Sequence, residues 1–148
     1  MTAGDMIATV DNVEPNQYST GQKLGWLNEL DGLVWDEVVR THVADIPASP
    51  AGGHALSRVA ALVCRQCPPL HTQRKPVDSV ISELLIPFPY GERIYSHYLQ
   101  AMIASENGEA VKYNQQISLY NAAYRTYVNH VNRTQKPAPA RGGNRLRF

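Results

Sequence analysis

The sequence predicts a mainly α-helical protein: a small helical bundle with a C-terminal antiparallel helical hairpin, a proline-rich insertion and an extended C-terminal arm. Two long stretches repeat apolar residues at intervals of three and four, which keeps one face of an α-helix apolar. Seven of the ten prolines lie between Asp45 and Pro89, where they exclude long regular elements. With 148 residues the chain has the size of one domain. We expect that domain to span residues 1–132, with the insertion at 45–89 and the arm at 133–148.

Two helices are predicted before the insertion. The first runs from Ala3 to Val13 with a possible cap at Thr2, and Glu14-Pro15-Asn16 ends it. The second begins at Ser19, because Ser19 and Gln22 have the spacing of a capping box, and it extends to Thr41 or His42. Its apolar stripe is Leu24, Leu27, Leu30, Val34 and Val38, flanked by Trp26 and Trp35. Gly32 inside this helix indicates either close packing against a neighbour or a tolerated glycine.

Within the insertion, Ala55 to Cys67 would form a helix of about three turns, and Val80 to Ile86 would form a strand or an extended segment. A long irregular stretch in a small domain is usually functional. We expect the insertion to project from the helical body.

The helical hairpin is predicted from Glu92 to Asn132, with its joint at Asn107-Gly108, two residues that readily end a helix. The apolar stripe of the first helix is Tyr95, Tyr98, Leu99, Met102 and Ile103; that of the second is Tyr113, Ile117, Tyr120, Tyr124, Tyr127 and Val131.

Tyrosines pack well but leave hydroxyls that need partners, which favours surfaces buried in assembly. We therefore predict subunit packing through Trp26, Tyr113, Tyr120, Tyr124 and Tyr127. The alternative is an ordinary core edged with tyrosine. Hydrogen-bond partners for these hydroxyls, or for a neighbouring subunit, would be Asn114, Asn121, Asn129 and Asn132.

Charge is unevenly distributed along a chain whose net charge is +1. The first 45 residues hold eight acids and two basic residues, so the remainder is strongly positive. The arm carries basic residues without an acid and ends in Arg145-Leu146-Arg147-Phe148. Such a tip has what is needed to order against a partner, although charge runs also simply solubilise a chain.

Cys64, Cys67, His71 and His54 are the one constellation that suggests a metal, and four such ligands would suit zinc. A single CxxC on the apolar side of a candidate helix is more typical of core thiols. We therefore predict no metal and no cofactor. No motif of a nucleophile, metalloprotease or phosphate-binding loop occurs, and we predict a non-enzymatic protein. No signal peptide or membrane span is predicted either, so we expect a soluble protein made in the cytoplasm.

Three stretches follow one another along the chain. They are Pro15-Asn16-Gln17-Tyr18 leading into Lys23 and Trp26-Leu27-Asn28-Glu29-Leu30-Asp31-Gly32; Glu83-Leu84-Leu85-Ile86-Pro87-Phe88-Pro89-Tyr90; and Tyr98-Leu99-Gln100-Ala101 through Asn107-Gly108-Glu109, Lys112-Tyr113-Asn114, Tyr120-Asn121-Ala122-Ala123-Tyr124 and Asn132-Arg133-Thr134. In this order they resemble the small head-tail connector, or neck adaptor, proteins of tailed bacteriophages. The stretch from Asp45 to Ser82 departs from the pattern.

The resemblance implies a structural virion protein in the neck between capsid and tail. It would assemble as a homo-oligomeric ring, commonly of twelve copies, beneath the portal protein and would offer a docking surface to the tail or a tail-completion protein. Portal binding would involve an extended arm, here Arg141, Arg145, Leu146, Arg147 and Phe148. Basic residues facing the channel would contact DNA only through phosphates.

Two other classes remain open from the residues alone. One is a helical-hairpin interaction module similar to one tetratricopeptide unit, although no repeat of fixed period occurs. The other is a zinc-binding, nucleic-acid-binding protein that uses the insertion and the basic arm. A measurement of bound zinc would separate it from the connector.

Overall fold

The computed structural model describes residues 1–42 and 74–135, and these residues are mainly helical. The described helices are α1 (Ala3–Val13), α2 (Thr20–Val34), α3 (Tyr90–Glu106) and α4 (Ala110–Thr134). Helix α2 continues through a π-helical segment, Trp35–Val39, into a final turn, Arg40–His42. No strand occurs in the described part of the chain. The predicted mainly α fold is confirmed.

Both predicted helix starts before the insertion are confirmed by their caps. The Asp5 amide donates to Thr2 Oγ1 at 3.2 Å, and the Asp5 carboxylate accepts from the Thr2 amide. Hydrogen bonds from Thr2 lower the pKa of Asp5. The Gln22 amide donates to Ser19 Oγ at 3.3 Å, and the Ser19 amide donates to Gln22 Oε1 at 3.0 Å. Each box satisfies backbone groups that the first turn of a helix leaves free.

The hairpin of α3 and α4 turns at the predicted joint. Gly108 has φ +74°, a left-handed conformation that a side chain would disfavour, and the Glu109 amide donates to the Ala104 carbonyl oxygen at 2.8 Å. Helix α3 starts two residues before the predicted Glu92, and α4 ends two residues after Asn132. The pair is the most extensively packed in the described structure.

The core lies between α1, α2 and the hairpin. Helix α3 is its centre, because nine of its seventeen residues are buried, whereas α4 buries only Tyr127 and Val131. The fully enclosed aliphatic side chains from three helices are Met6, Val10, Leu27, Leu30, Val34, Ile94, Leu99 and Ile103. The predicted stripes of α2 and α3 supply five of these eight residues.

Residues 74–89 do not project from the body, so that part of the expectation for the insertion is wrong. Val77, Leu84 and Ile86 are 4%, 6% and 1% exposed and belong to the core. The segment also lies along the start of α1: the Ala3 amide donates to the Ser82 carbonyl oxygen at 2.9 Å, and the Gly4 amide to that of Val80 at 2.8 Å. It is irregular, with a turn at Val80 and Ile81, bends at Leu85 and Ile86, and one isolated bridge between Thr2 and Glu83, so the strand predicted at Val80 to Ile86 is not formed. The predicted helix at Ala55 to Cys67 lies outside the described residues.

Candidate assembly surface

Helix α2 holds the segment 74–89 through polar side chains of its Asn28 to Gly32 stretch. Asn28 Oδ1 accepts hydrogen bonds from the Val77 amide and from the Arg74 guanidinium, each at 3.2 Å. The Arg74 guanidinium also donates to the Asn28 carbonyl oxygen at 3.0 Å and lies against Gly32, where an added Cβ would be 3.0 Å from Nη2. The close packing proposed for Gly32 is therefore present.

Asp31 forms the centre of a buried polar cluster at the same place. It is 1% exposed, its Oδ2 accepts from the Leu85 amide at 3.1 Å, and its Oδ1 accepts from the Tyr95 hydroxyl. The Tyr95 hydroxyl in turn accepts from the Ile86 amide at 3.0 Å. Burial, together with the neighbouring Asp31, raises the pKa of Tyr95 well above its ordinary value, so its hydroxyl stays a donor. We call Asn28, Asp31, Arg74 and Tyr95 the anchor cluster.

Sequence reasoning missed the anchor cluster, although a signal was present. Asp31 follows Leu27 by four residues and precedes Val34 by three, so it lies on the apolar face of α2. A carboxylate at such a position needs buried donors. No buried side-chain nitrogen or oxygen in residues 1–42 and 74–135 lacks a hydrogen-bond partner. The cluster is thus satisfied within the subunit, and it positions the backbone of residues 85 and 86.

Tyr127 was predicted to pack against another subunit, but the structure places it in the core. Its side chain is 2% exposed and lies against Tyr90, with ring centroids 5.8 Å apart. Burial, then the nearby Asp31, raises the pKa of Tyr127 to about 12. A side chain enclosed in this way is not available to a neighbour in the folded subunit, so the subunit-packing prediction is wrong at this position.

Tyr120 and Tyr124 lie at the margin of the core. Their rings stack with centroids 5.7 Å apart, and Tyr120 also meets Tyr98 at 5.6 Å. The Tyr124 hydroxyl donates to Glu37 Oε2 at 2.8 Å, which ties α4 to the π-helical segment. Burial raises the pKa of Tyr98 to about 12 and that of Tyr124 further, the latter helped by Glu37. These rings are half-buried or buried, and their hydroxyls are protonated donors at neutral pH.

The predicted hydrogen bonds between tyrosines and the asparagines of α4 are not found in the described structure. Tyr124 pairs with Glu37 instead, and Asn132 Oδ1 lies 2.9 Å from His42 Nε2. Tyr18 does bond to an asparagine, but its partner Asn107 lies in the hairpin joint, 2.7 Å away. Side chains from neighbouring helices reach these positions, which spacing within one helix does not reveal.

The first half of α4 is the least buried regular element that the structure describes. No residue from Ala110 to Leu119 is buried, and Tyr113 and Ile117 are only half-buried. Val111 and Leu119 are 86% and 44% exposed. Tyr113 therefore remains accessible for subunit packing. Trp26, the member of the predicted subunit-packing residues that lies on α2, is also half-buried. Its ring meets that of Tyr18 edge-on, with centroids 5.6 Å apart.

Near Trp26, a shallow open depression is lined by Pro15, Asn16, Gln17 and Asn107. Its polar lining consists of amides, without a charged or nucleophilic side chain. It offers hydrogen bonds to a partner surface and no group that would do chemistry.

Two surface stripes of opposite character run along α2 and α4. The acidic stripe of α2 is Gln22, Gly25, Glu29, Leu33 and Asp36; the basic stripe of α4 is Ser118, Ala122, Arg125, Asn129 and Arg133. All ten residues are exposed. Except for Leu33 in the acidic stripe, they are polar or small. Helix α4 contains no Asp or Glu, and within the described residues no carboxylate lies within ion-pair distance of Arg125 or Arg133. Leu33, at the middle of the acidic stripe, is 49% exposed.

The basic residues nearest α1 are already paired. Lys23 is 3% exposed and donates to Asp11 Oδ1 at 2.6 Å, and Lys112 contacts Glu14 and, at 3.5 Å, Glu109. Glu14 raises the pKa of Lys112. These ion pairs join α1 to α2 and to α4, so Arg125 and Arg133 are the basic residues of α4 that no described carboxylate pairs with.

His42 and Asn132 bring two chain positions together. Their contact at 2.9 Å joins the continuation of α2 to the last turns of α4, and His130 stacks on Tyr90 at 4.9 Å. The end of the continuation of α2 and the end of α4 therefore lie close together.

Several predicted site residues lie outside the described residues. They are the candidate zinc ligands Cys64, Cys67, His54 and His71, and the arm residues Arg141, Arg145, Leu146, Arg147 and Phe148. In the described ranges, no group of three or more His, Cys, Asp or Glu is arranged to hold a metal ion. No helix in those ranges has the length and apolarity needed to cross a bilayer.

Comparisons with protein-family models, with curated proteins and with solved structures found no match to this chain.

Proposed function

We propose that this protein is a structural, non-enzymatic virion protein of a tailed bacteriophage, a head-tail connector that forms a ring beneath the portal and docks the tail. The observation that carries the proposal is the contact between His42 and Asn132. It holds the end of the continuation of α2 against the last turns of α4, so two chain positions lie side by side on a firmly packed helical body. Such an end suits an adaptor that engages one partner there and another elsewhere.

The arm is the portal-binding element of this proposal. It follows α4 directly, since Gln135 caps that helix with its amide bonded to the Val131 carbonyl oxygen at 2.7 Å. A rigid helix that leads into a chain of thirteen further residues gives the arm a fixed base and a reach of up to about 40 Å. Arginine and phenylalanine at its tip are the residue types that most often anchor interfaces.

Half-buried side chains on α2 and α4 support ring assembly. Tyr113, Ile117 and Trp26 expose apolar surface that residues 1–42 and 74–135 do not cover. In a heterologous ring each subunit uses two different patches, and Trp26 on α2 and Tyr113 on α4 provide two candidates. The proposal places the protein in the virion neck, with DNA in the channel touched only through its phosphates.

The test is native mass spectrometry of the full chain, alone and mixed with a purified candidate portal ring. We expect a ring, alone or bound to the portal. The matched variants end at Ala140 or carry Arg145→Ser and Arg147→Ser in the full-length chain. Loss of portal binding in both, with the melting temperature unchanged, supports the arm. Undiminished binding by the chain ending at Ala140 removes the arm from the proposal, and absence of any portal complex of the full chain overturns the connector function.

A further inference from the structure

The acidic and basic stripes have matching dimensions. Glu29 and Asp36 are seven residues apart, which places them about 10 Å apart along the axis of α2. Arg125 and Arg133 are eight residues apart, about 12 Å along α4. Two helices in contact along these stripes would bring both charge pairs within reach at once. All four side chains are exposed.

The centres of the stripes are also compatible. Leu33 lies between the two acids and is 49% exposed. On α4 the small side chain of Ala122 lies one turn before Arg125, and Asn129 lies between the arginines. An apolar side chain at the centre with charged pairs at the rim is the usual arrangement of a protein interface.

Within residues 1–42 and 74–135, the charges of the two stripes are largely without ion-pair partners. Glu29 forms no ion pair with any described residue, and Asp36 has only the exposed Arg40 at 3.6 Å. Such an exposed pair within one helix contributes little and is easily exchanged. Arg125 and Arg133 have no carboxylate of the described residues within ion-pair distance.

We infer that the acidic stripe of one copy binds the basic stripe of a second copy, so that copies associate head to tail. Glu29 and Asp36 pair with Arg125 and Arg133, around Leu33. Because the two surfaces differ, the contact is heterologous and closes into a ring if the rotation permits. The inference rests on the ring of the proposed function and names its contact surfaces.

Two arginines on α4 are few for a nucleic-acid surface, which usually collects many basic residues on one face. The acids of α2 give these arginines a complementary partner in the chain itself. This favours a second copy over a polyanion.

The experiment uses two charge-reversed versions of the full chain. One carries Glu29→Arg and Asp36→Arg; the other carries Arg125→Glu and Arg133→Glu. Each alone places like charges on both sides of the contact, so its association constant should fall by about tenfold or more. Mixed one to one, the two versions again present opposite charges at every contact. Association should then return, and it should weaken with rising ionic strength.

Analytical ultracentrifugation at low and high salt measures these states. Loss of association in each version and its recovery in the mixture support the inference. Assembly of either version like the unmodified chain overturns it and leaves the connector function standing, since other surfaces would then form the ring. No recovery in the mixture also overturns it. An unmodified chain that stays monomeric at millimolar concentration overturns it too, while portal binding, measured separately, decides the proposed function.

Matched controls change the same charge elsewhere. Glu92→Arg with Glu106→Arg adds the same charge on α3, and Lys75→Glu with Arg93→Glu removes it; all four residues are exposed. Both controls should associate as the unmodified chain does. A control that fails in the same way would show that net charge alone is responsible, which contradicts the inference. If Arg125→Glu with Arg133→Glu abolishes binding to a random-sequence DNA duplex without changing self-association, the two arginines bind DNA phosphates and not a second copy. That result would overturn the inference.

Discussion

Polar and aromatic side chains are enclosed in the anchor cluster, whereas they stay partly exposed along the first half of α4. In the anchor cluster, Asp31 and Tyr95 are enclosed and every donor has its acceptor. Along the first half of α4, Tyr113 and Ile117 stay half-exposed beside the exposed amide side chains of Asn114 and Gln115. Both regions were identified as helical from the same kind of spacing. They differ in whether a second and third element cover them.

That difference separates residues that define the subunit from residues left for a partner. Helix α3 is enclosed by α1, α2, α4 and the segment 74–89, whereas α4 packs mainly against α3 alone. Buried polar clusters cost much when broken, because each remaining group is left without a partner. Half-exposed side chains lose little when truncated, so their effect should appear in assembly rather than in folding.

Asp31→Ala should have the largest effect on stability. The substitution leaves the Tyr95 hydroxyl and the Leu85 amide without their buried acceptor, which should lower the free energy of unfolding by about 4 kcal/mol. Urea denaturation followed by circular dichroism measures it. The control is Glu29→Ala, an exposed acid two residues away on the same helix, which should change stability by less than about 0.5 kcal/mol. Equal effects of the two variants would contradict the anchor cluster.

Tyr127→Ala compared with Tyr113→Ala sharpens the contrast within one helix. Loss of the buried Tyr127 ring should cost about 3 kcal/mol or more. Tyr113 is half-buried, so its loss should cost less than about 1 kcal/mol and weaken self-association instead. Thermal melting and sedimentation of both variants provide the two readouts. A stability loss of more than about 1 kcal/mol from Tyr113→Ala would mean that the first half of α4 belongs to the core.

The raised tyrosine pKa values predict loss of stability in alkali. Tyrosine in an unfolded chain titrates near pH 10, whereas Tyr98 and Tyr127 have pKa values of about 12. The protonated form is therefore favoured by folding, so its contribution is complete below pH 10 and is lost as pH rises from 10 towards 12. Each such tyrosine contributes a slope of about 1.4 kcal/mol per pH unit. The free energy of unfolding, measured by denaturation at pH values from 8 to 11, should fall less steeply with pH in Tyr127→Phe than in the unmodified chain. An identical pH dependence in that variant would remove Tyr127 as a cause.

The sequence was sufficient for features that depend on neighbouring residues. The cap at Thr2, the capping box of Ser19 with Gln22, and the turn at Gly108 each act within one turn of chain, and each was located correctly. The anchor cluster joins positions 54 and 64 residues apart, at Leu85 and Tyr95, to Asp31. Its partners depend on how residues 74–89 return to α2, which no local spacing contains. The same applies to Tyr127, because a tyrosine stripe looks alike whether a neighbouring helix or another subunit covers it.

The smallest predicted effect distinguishes two glycines of α2. An added Cβ at Gly25 meets no atom within 4 Å, so Gly25→Ala should stabilise the helix by about 0.7 kcal/mol through its better helix propensity. At Gly32 the same methyl group would be 3.0 Å from Arg74 Nη2, and the guanidinium would have to move away from Asn28. Gly32→Ala should therefore gain nothing or lose stability. Melting temperatures of the two variants measure this difference. Equal stabilisation by both would mean that Arg74 does not help to hold the segment 74–89 against α2.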